Sequence, residues 1–184
     1  MPQQLYHPLA HRVVLRVTIV AAVALAAACV NRAQQADART EIEEAYRRAD
    51  AAFVSATTLA DLEAIREWLD TPDCMYADFG QPLRRWADMR AYAAAGLRTP
   101  IKAFHSSIER LEVDGETAIA TTVVKGVAHI VDSDGQFGAK GLAHDVETTA
   151  TVRDVWVRTT DRWRRKSHAK IVANHVTAID GRRQ

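Results

Sequence analysis

The spacing of apolar residues along the chain changes from helical to strand-like. Ile42, Ala45, Tyr46, Ala49 and Phe53 recur at intervals of three and four, and Leu62, Ile65 and Leu69, with Trp68 beside them, repeat the pattern. Such spacing predicts two amphipathic helices between about Asp37 and Asp70. Thr40 with Glu43 reads as a capping box for the first helix. The β-branched, Ser-bearing run from Val54 to Thr58 ends it, and Asp61 opens the second. Thr71-Pro72 stops the second, because proline lacks an N–H and restricts the residue before it. Cys74 to Asp78 predicts a short edge strand, Gly80-Gln81-Pro82 a turn, and Trp86 to Ala95 a third helix closed by Gly96.

After Thr99-Pro100 the pattern becomes that of strands. The stretch from Ala103 to Ile179 predicts a curved antiparallel sheet. Asp114-Gly115 is a strong hairpin signal. Asp132-Ser133-Asp134-Gly135 starts a Gly-rich loop reaching Gly141, and Thr159-Thr160-Asp161-Arg162 separates the last two strands. With Arg158 opposite Trp163 and a regular ladder, Val152, Asp154, Trp156, Trp163, Arg165, Ser167 and Ala169 share one face. Arg153, Val155, Arg164, Lys166, His168 and Lys170 share the other. The two indoles assign the first set to the core, and a one-residue slip would exchange the sets. His105 falls opposite Val124.

The N-terminus adds a compartment. His11, Arg12 and Arg16 precede an apolar run from Val17 to Ala28 that ends in Ala26-Ala27-Ala28, and Cys29 follows. A basic start, a short apolar run and small residues describe a secretory signal over residues 1–29. Cys29 stands where a lipobox would carry its lipid. Residues 30–37 read as a linker and residues 38–180 as the folded domain. Export places the protein in the periplasm or, lipidated on Cys29, on a bacterial envelope membrane. Cys74 is the only other cysteine, so no disulfide framework is expected.

Net charge is +1 in 184 residues, which gives no field for polyanions, and no aromatic platform interleaves with the basic tail. No nucleic-acid partner is expected. No metal is expected either, since no cysteine pair has ligand spacing and the histidines are scattered. With no phosphate-binding loop, no cofactor is expected.

Helix, helix, short strand, helix and long strands resemble the nuclear transport factor 2 superfold, in its SnoaL-like, ketosteroid-isomerase-like branch. The likeness is carried by Phe104-His105-Ser106-Ser107-Ile108, by Val113-Asp114-Gly115-Glu116-Thr117-Ala118, and by Asp154-Val155-Trp156-Val157-Arg158 with Arg162-Trp163-Arg164. It implies an α+β fold in which a curved antiparallel sheet wraps N-terminal helices into a cone. It also implies a conical apolar pocket and a homodimer formed through the outer sheet face.

On that frame the pocket would be lined by Tyr46, Phe53, Tyr76, Trp86, Asp154, Trp156 and Trp163. The expected occupant is a small apolar or carbonyl-containing molecule. An inward Asp154 has two readings. Facing an apolar pocket, its pKa would rise and it could move protons; paired with Arg165, it would be a structural ion pair. Asp78 and Tyr76, at the pocket rim, could polarise a carbonyl, and His105 could titrate near neutral pH. The sequence therefore supports a ligand-binding domain, an isomerase, cyclase or hydrolase using a pocket carboxylate, or a non-catalytic dimeric module.

Overall fold

The computed structural model describes the backbone of residues 9–184 and the side chains from Arg32 onward. The signal segment and Cys29 lie outside the residues whose side chains are described. Helix α1 (Leu9–Ser55) is followed by α2 (Leu59–Leu69), β1 (Asp70–Ala77), β2 (Arg84–Arg85) and α3 (Trp86–Gly96). Strands β3 (Ile101–Asp114), β4 (Thr117–Val131), β5 (Ala143–Arg158), β6 (Trp163–Ile179) and β7 (Arg182–Arg183) complete it. The chain divides after Asp37, and the unit from Ala38 to Gln184 carries every strand.

The two expected helices are present with different ends. Residues 30–37, expected as a linker, are helical; their Ala, Arg and Gln residues favour helix and neither Gly nor Pro interrupts them. No helix therefore starts at Thr40, and Glu43 instead pairs with Arg39 one turn earlier at 2.8 Å. The capping box stands at the start of α2. Asp61 N donates to Thr58 Oγ1 at 3.2 Å, and Thr58 N donates to Asp61 Oδ2 at 2.8 Å.

The sheet is curved and unclosed, with strand order β2-β1-β6-β5-β4-β3. Its long strands pair antiparallel, but β1 lies parallel to β6, so the sheet is mixed. On its outer side β1 is paired only at Met75 and Tyr76, by the two-residue β2. Strands β3 and β4 meet as predicted, with the turn one residue later: Asp114 pairs with Thr117, and Gly115 takes φ +56°.

The α1 stripe enters the core as its spacing requires. Ile42, Tyr46 and Ala49 pack with Ile65 and Leu69 of α2 against Ile108, Leu111, Ala118 and Ala120. Trp156 and Trp163 complete this cluster. Trp156 is wholly buried and meets the Tyr46 ring edge-on, with centroids 5.3 Å apart.

The ladders are interrupted by bulges. In β3 the register shifts between Ile108 and Arg110, so His105 faces Lys125 and Ser106 faces Val124. In β6 it shifts between Arg165 and Ser167, leaving Lys166 as the extra residue. A bulge moves all later residues of a strand to the opposite face. Trp163 and Arg165 thus point inward as expected, but beyond Lys166 the inward residues are His168 and Lys170 rather than Ser167 and Ala169.

Candidate functional site

The helices and the concave side of the sheet enclose a cavity of about 390 Å³. Much of its wall is apolar: Phe53, Leu62, Ile101, Phe104, Val124 and Val152. Gly126 also lines it, and a Cβ built there would lie 3.6 Å from the Phe104 ring, in ordinary contact.

The bulge at Lys166 builds the polar floor. It sets His168 opposite Asp154 of β5, with His168 Nδ1 2.7 Å from Asp154 Oδ1. Arg165 Nη1 lies 3.1 Å from the same nitrogen. One ring nitrogen cannot donate to a carboxylate and accept from a guanidinium at once. The shorter contact and the charge of Asp154 decide for donation to Asp154. The second Asp154 oxygen accepts from the Tyr46 hydroxyl, which accepts from Thr122 Oγ1 at 3.2 Å.

Asp154 is completely buried and does not reach the cavity; Tyr46 and His168 stand between. Burial pushes its carboxyl up, but His168, Arg165 and Tyr46 together outweigh burial and hold it below the ordinary carboxylate range. A raised pKa for Asp154 is thereby corrected. The direct Asp154–Arg165 pair is corrected as well, since Arg165 Nε donates to Asp70 Oδ1 at 2.8 Å. Burial and the neighbouring Asp154 push the Tyr46 phenol well above its ordinary value, so it remains a donor.

A second group stands at the β1–β6 seam. Tyr76 and His168 are register partners across the parallel pair. Tyr76 Oη donates to Asp70 and accepts from Arg66 Nε at 2.6 Å. Burial, then Asp70, raise the Tyr76 phenol far above its usual range. The Arg66 guanidinium lies 4.4 Å over the Trp86 ring. Lys170 reaches the cavity from β6 and pairs with Asp78 at 2.8 Å.

Of the expected wall residues, Tyr46, Phe53, Tyr76 and Trp86 line the cavity. Trp156 and Trp163 do not: both are core side chains beneath α1 and α2. Asp78 lies off the wall, held by Lys170 and by the Tyr92 hydroxyl at 3.0 Å, and its carboxyl is lowered chiefly by Lys170. His105 is turned outward with its side chain 75% exposed, because the β3 bulge points Ser106 inward instead. Asp50, Arg66, His168 and Lys170 line the cavity without having been singled out in the sequence. Asp50 continues the α1 stripe one turn beyond Tyr46. Its carboxylate accepts from Ser106 N at 2.7 Å and Ser106 Oγ at 2.8 Å, and burial raises its pKa against those bonds.

Among the described residues no three His, Cys, Asp or Glu side chains are grouped to hold a metal. No protein-family model matches the chain. No curated protein matches it either. Solved structures do. An NTF2-like protein with a cystatin-like fold from Novosphingobium aromaticivorans superposes with TM-score 0.52 at 19% identity, covering 78% of this chain and 87% of that one. A protein from Kribbella flavida superposes with TM-score 0.52 at 18% identity, over 79% of this chain and 94% of its own. A nuclear transport factor 2-like superfamily protein from Salmonella enterica gives 0.50 at 15% identity, over 75% and 92%. At such identities the likeness concerns the fold.

Proposed function

We propose that this chain, which has the nuclear transport factor 2-like, cystatin-like α+β cone fold, holds a small, largely apolar molecule in its cavity. The supporting observation is the cavity itself: about 390 Å³, apolar over much of its wall, with polar groups among the apolar ones, Arg66, His168 and Lys170 at the β1–β6 seam. That combination is usual for small-molecule sites, where apolar surface supplies affinity and a few donors fix orientation. The basic start and the apolar run of residues 17–28 support export to the bacterial envelope.

A neutral apolar dye, N-phenyl-1-naphthylamine, tests the reading by its gain in fluorescence on leaving water. The unaltered protein should bind it, and Gly126→Leu, which adds a side chain on the cavity wall, should weaken binding about tenfold or more. Equal binding by both proteins would place the dye elsewhere and count against the cavity.

A second reading is favoured by one bond. Asp154 holds His168 Nδ1, which is how a buried carboxylate fixes the tautomer of a general base. In an isomerase, cyclase or hydrolase of this fold, His168 would take the proton, because it reaches the cavity and Asp154 does not. Asp154 would position it. Loss of turnover in His168→Gln without loss of dye binding would support this reading.

A further inference from the structure

We infer that the molecule in the cavity carries a carboxylate head, seated at the β1–β6 seam by Arg66, His168 and Lys170. The inference rests on the cavity being a ligand site and adds the chemistry and direction of the ligand.

The donors converge. Tyr76 is the register partner of His168, Arg66 bonds the Tyr76 hydroxyl, and Lys170 follows His168 by two residues on the same face. The carboxylates that answer these cations stand off the wall: Asp70 behind Arg66 and Arg165, Asp154 behind His168, and Asp78 behind Lys170. The seam therefore offers the cavity donors rather than acceptors.

Asp70 alone answers both Arg165, at 2.8 Å, and Arg66, at 3.7 Å, so two guanidiniums share one carboxylate. Lys170 pairs with Asp78, and His168 with Asp154. The Arg66 and Lys170 side chains are only 18% and 22% exposed, so bulk water screens their charge weakly. A neutral oxygen would accept from these donors without meeting that charge. A carboxylate meets it and offers about four acceptor sites.

Away from the seam the described wall holds one carboxylate, Asp50, and it is already answered by Ser106 of β3 and by His105 Nδ1 at 4.0 Å. In the sheet, β5 and β4 separate β3 from the seam. The apolar tail thus points toward Phe104 and Val124.

The test displaces N-phenyl-1-naphthylamine from the full chain with octanoate, octan-1-ol and octylamine, which share a tail and differ in the head. Octanoate should displace the dye at about tenfold lower concentration than octanol, with octylamine weakest. Arg66→Gln and Lys170→Gln, made separately and checked for folding by circular dichroism, should each shrink the octanoate-to-octanol ratio. Octanol matching octanoate, octylamine surpassing both, or a ratio unmoved in both variants would overturn the carboxylate assignment while leaving the cavity a ligand site. A dye that binds but yields to none of the three would also overturn it. Failure of the dye to bind at all would remove the underlying reading and the inference with it.

Discussion

His168 faces Asp154 across β5 and β6 because Lys166 stands out of the ladder between them. Were Lys166 paired in a regular ladder, the alternation fixed by Trp163 and Arg165 would turn His168 to the outer face. Asp154 would then be a buried carboxylate next to Ser167 or Ala169, neither of which can neutralise it. The bulge thus supplies both a hydrogen-bond donor for the core acid and the cavity's imidazole.

Replacing Asp154 by Asn should destabilise the protein by about 3 kcal/mol, since one partner of a buried ionic group is removed. The loss should depend on pH. Asp154 titrates below its unfolded value, near 3.9, so its contribution is complete above that value and is lost as pH falls through the folded pKa. Urea titrations from pH 6 to pH 3 should show the gap between wild type and Asp154→Asn closing as the solution becomes acidic. A gap independent of pH would mean that Asp154 is not ionised in the fold.

At α2 the reciprocal bonds of Thr58 and Asp61 satisfy two orphan backbone donors. Thr58→Ala should lower stability by about 1 kcal/mol. Glu43→Ala, at an exposed ion pair with Arg39, should lower it by less than about 0.5 kcal/mol. Thermal midpoints of the two variants give the comparison.

The order of those effects marks what can be read from sequence. Helical spacing located Ile42, Tyr46 and Ala49 in the core because a helix keeps its phase over many residues. Thr40 and Glu43 carry a capping pattern inside α1, because the helix-favouring residues before them let the helix run through. The two indoles gave the inner face of β5 and of β6 as far as Arg165. Beyond that, Arg164, Arg165 and Lys166 are consecutive polar residues with no phase, so an extra residue leaves no trace in the pattern. The same loss of phase in β3 turned His105 outward. Asp50 was within reach of sequence reasoning, being one turn past Tyr46 on the same stripe. The choice of Asp70 over Asp154 by Arg165 was not, because it depends on the parallel pairing of β1 with β6.

Cys74 is buried, and burial followed by the nearby Asp70 pushes its thiol up to about 12. Only the thiolate reacts with alkylating agents. In the native protein at pH 8, alkylation of Cys74 should therefore be slower than that of a free exposed thiol by a factor of about a hundred or more, and should become fast in urea. Peptide mapping after a brief iodoacetamide pulse reports Cys74 separately from Cys29. Rapid native labelling would contradict the burial of Cys74 within β1.

Deleting Lys166 gives the sharpest test of the bulge. In the observed register Arg165 faces Trp156, Ser167 faces Val155, and His168 faces Asp154. Removing Lys166 closes this into a regular ladder and leaves every inward residue inward, so the variant should fold cooperatively with a loss no greater than about 2 kcal/mol. If β6 were regular, the same deletion would reverse the faces of every residue from Ser167 onward, driving the Asp154 partner out and breaking the sheet's inner surface. The two cases differ in outcome as well as in degree. A soluble deletion variant with a single sharp urea transition and retained dye binding supports the bulged register, and an unfolded or aggregated one contradicts it.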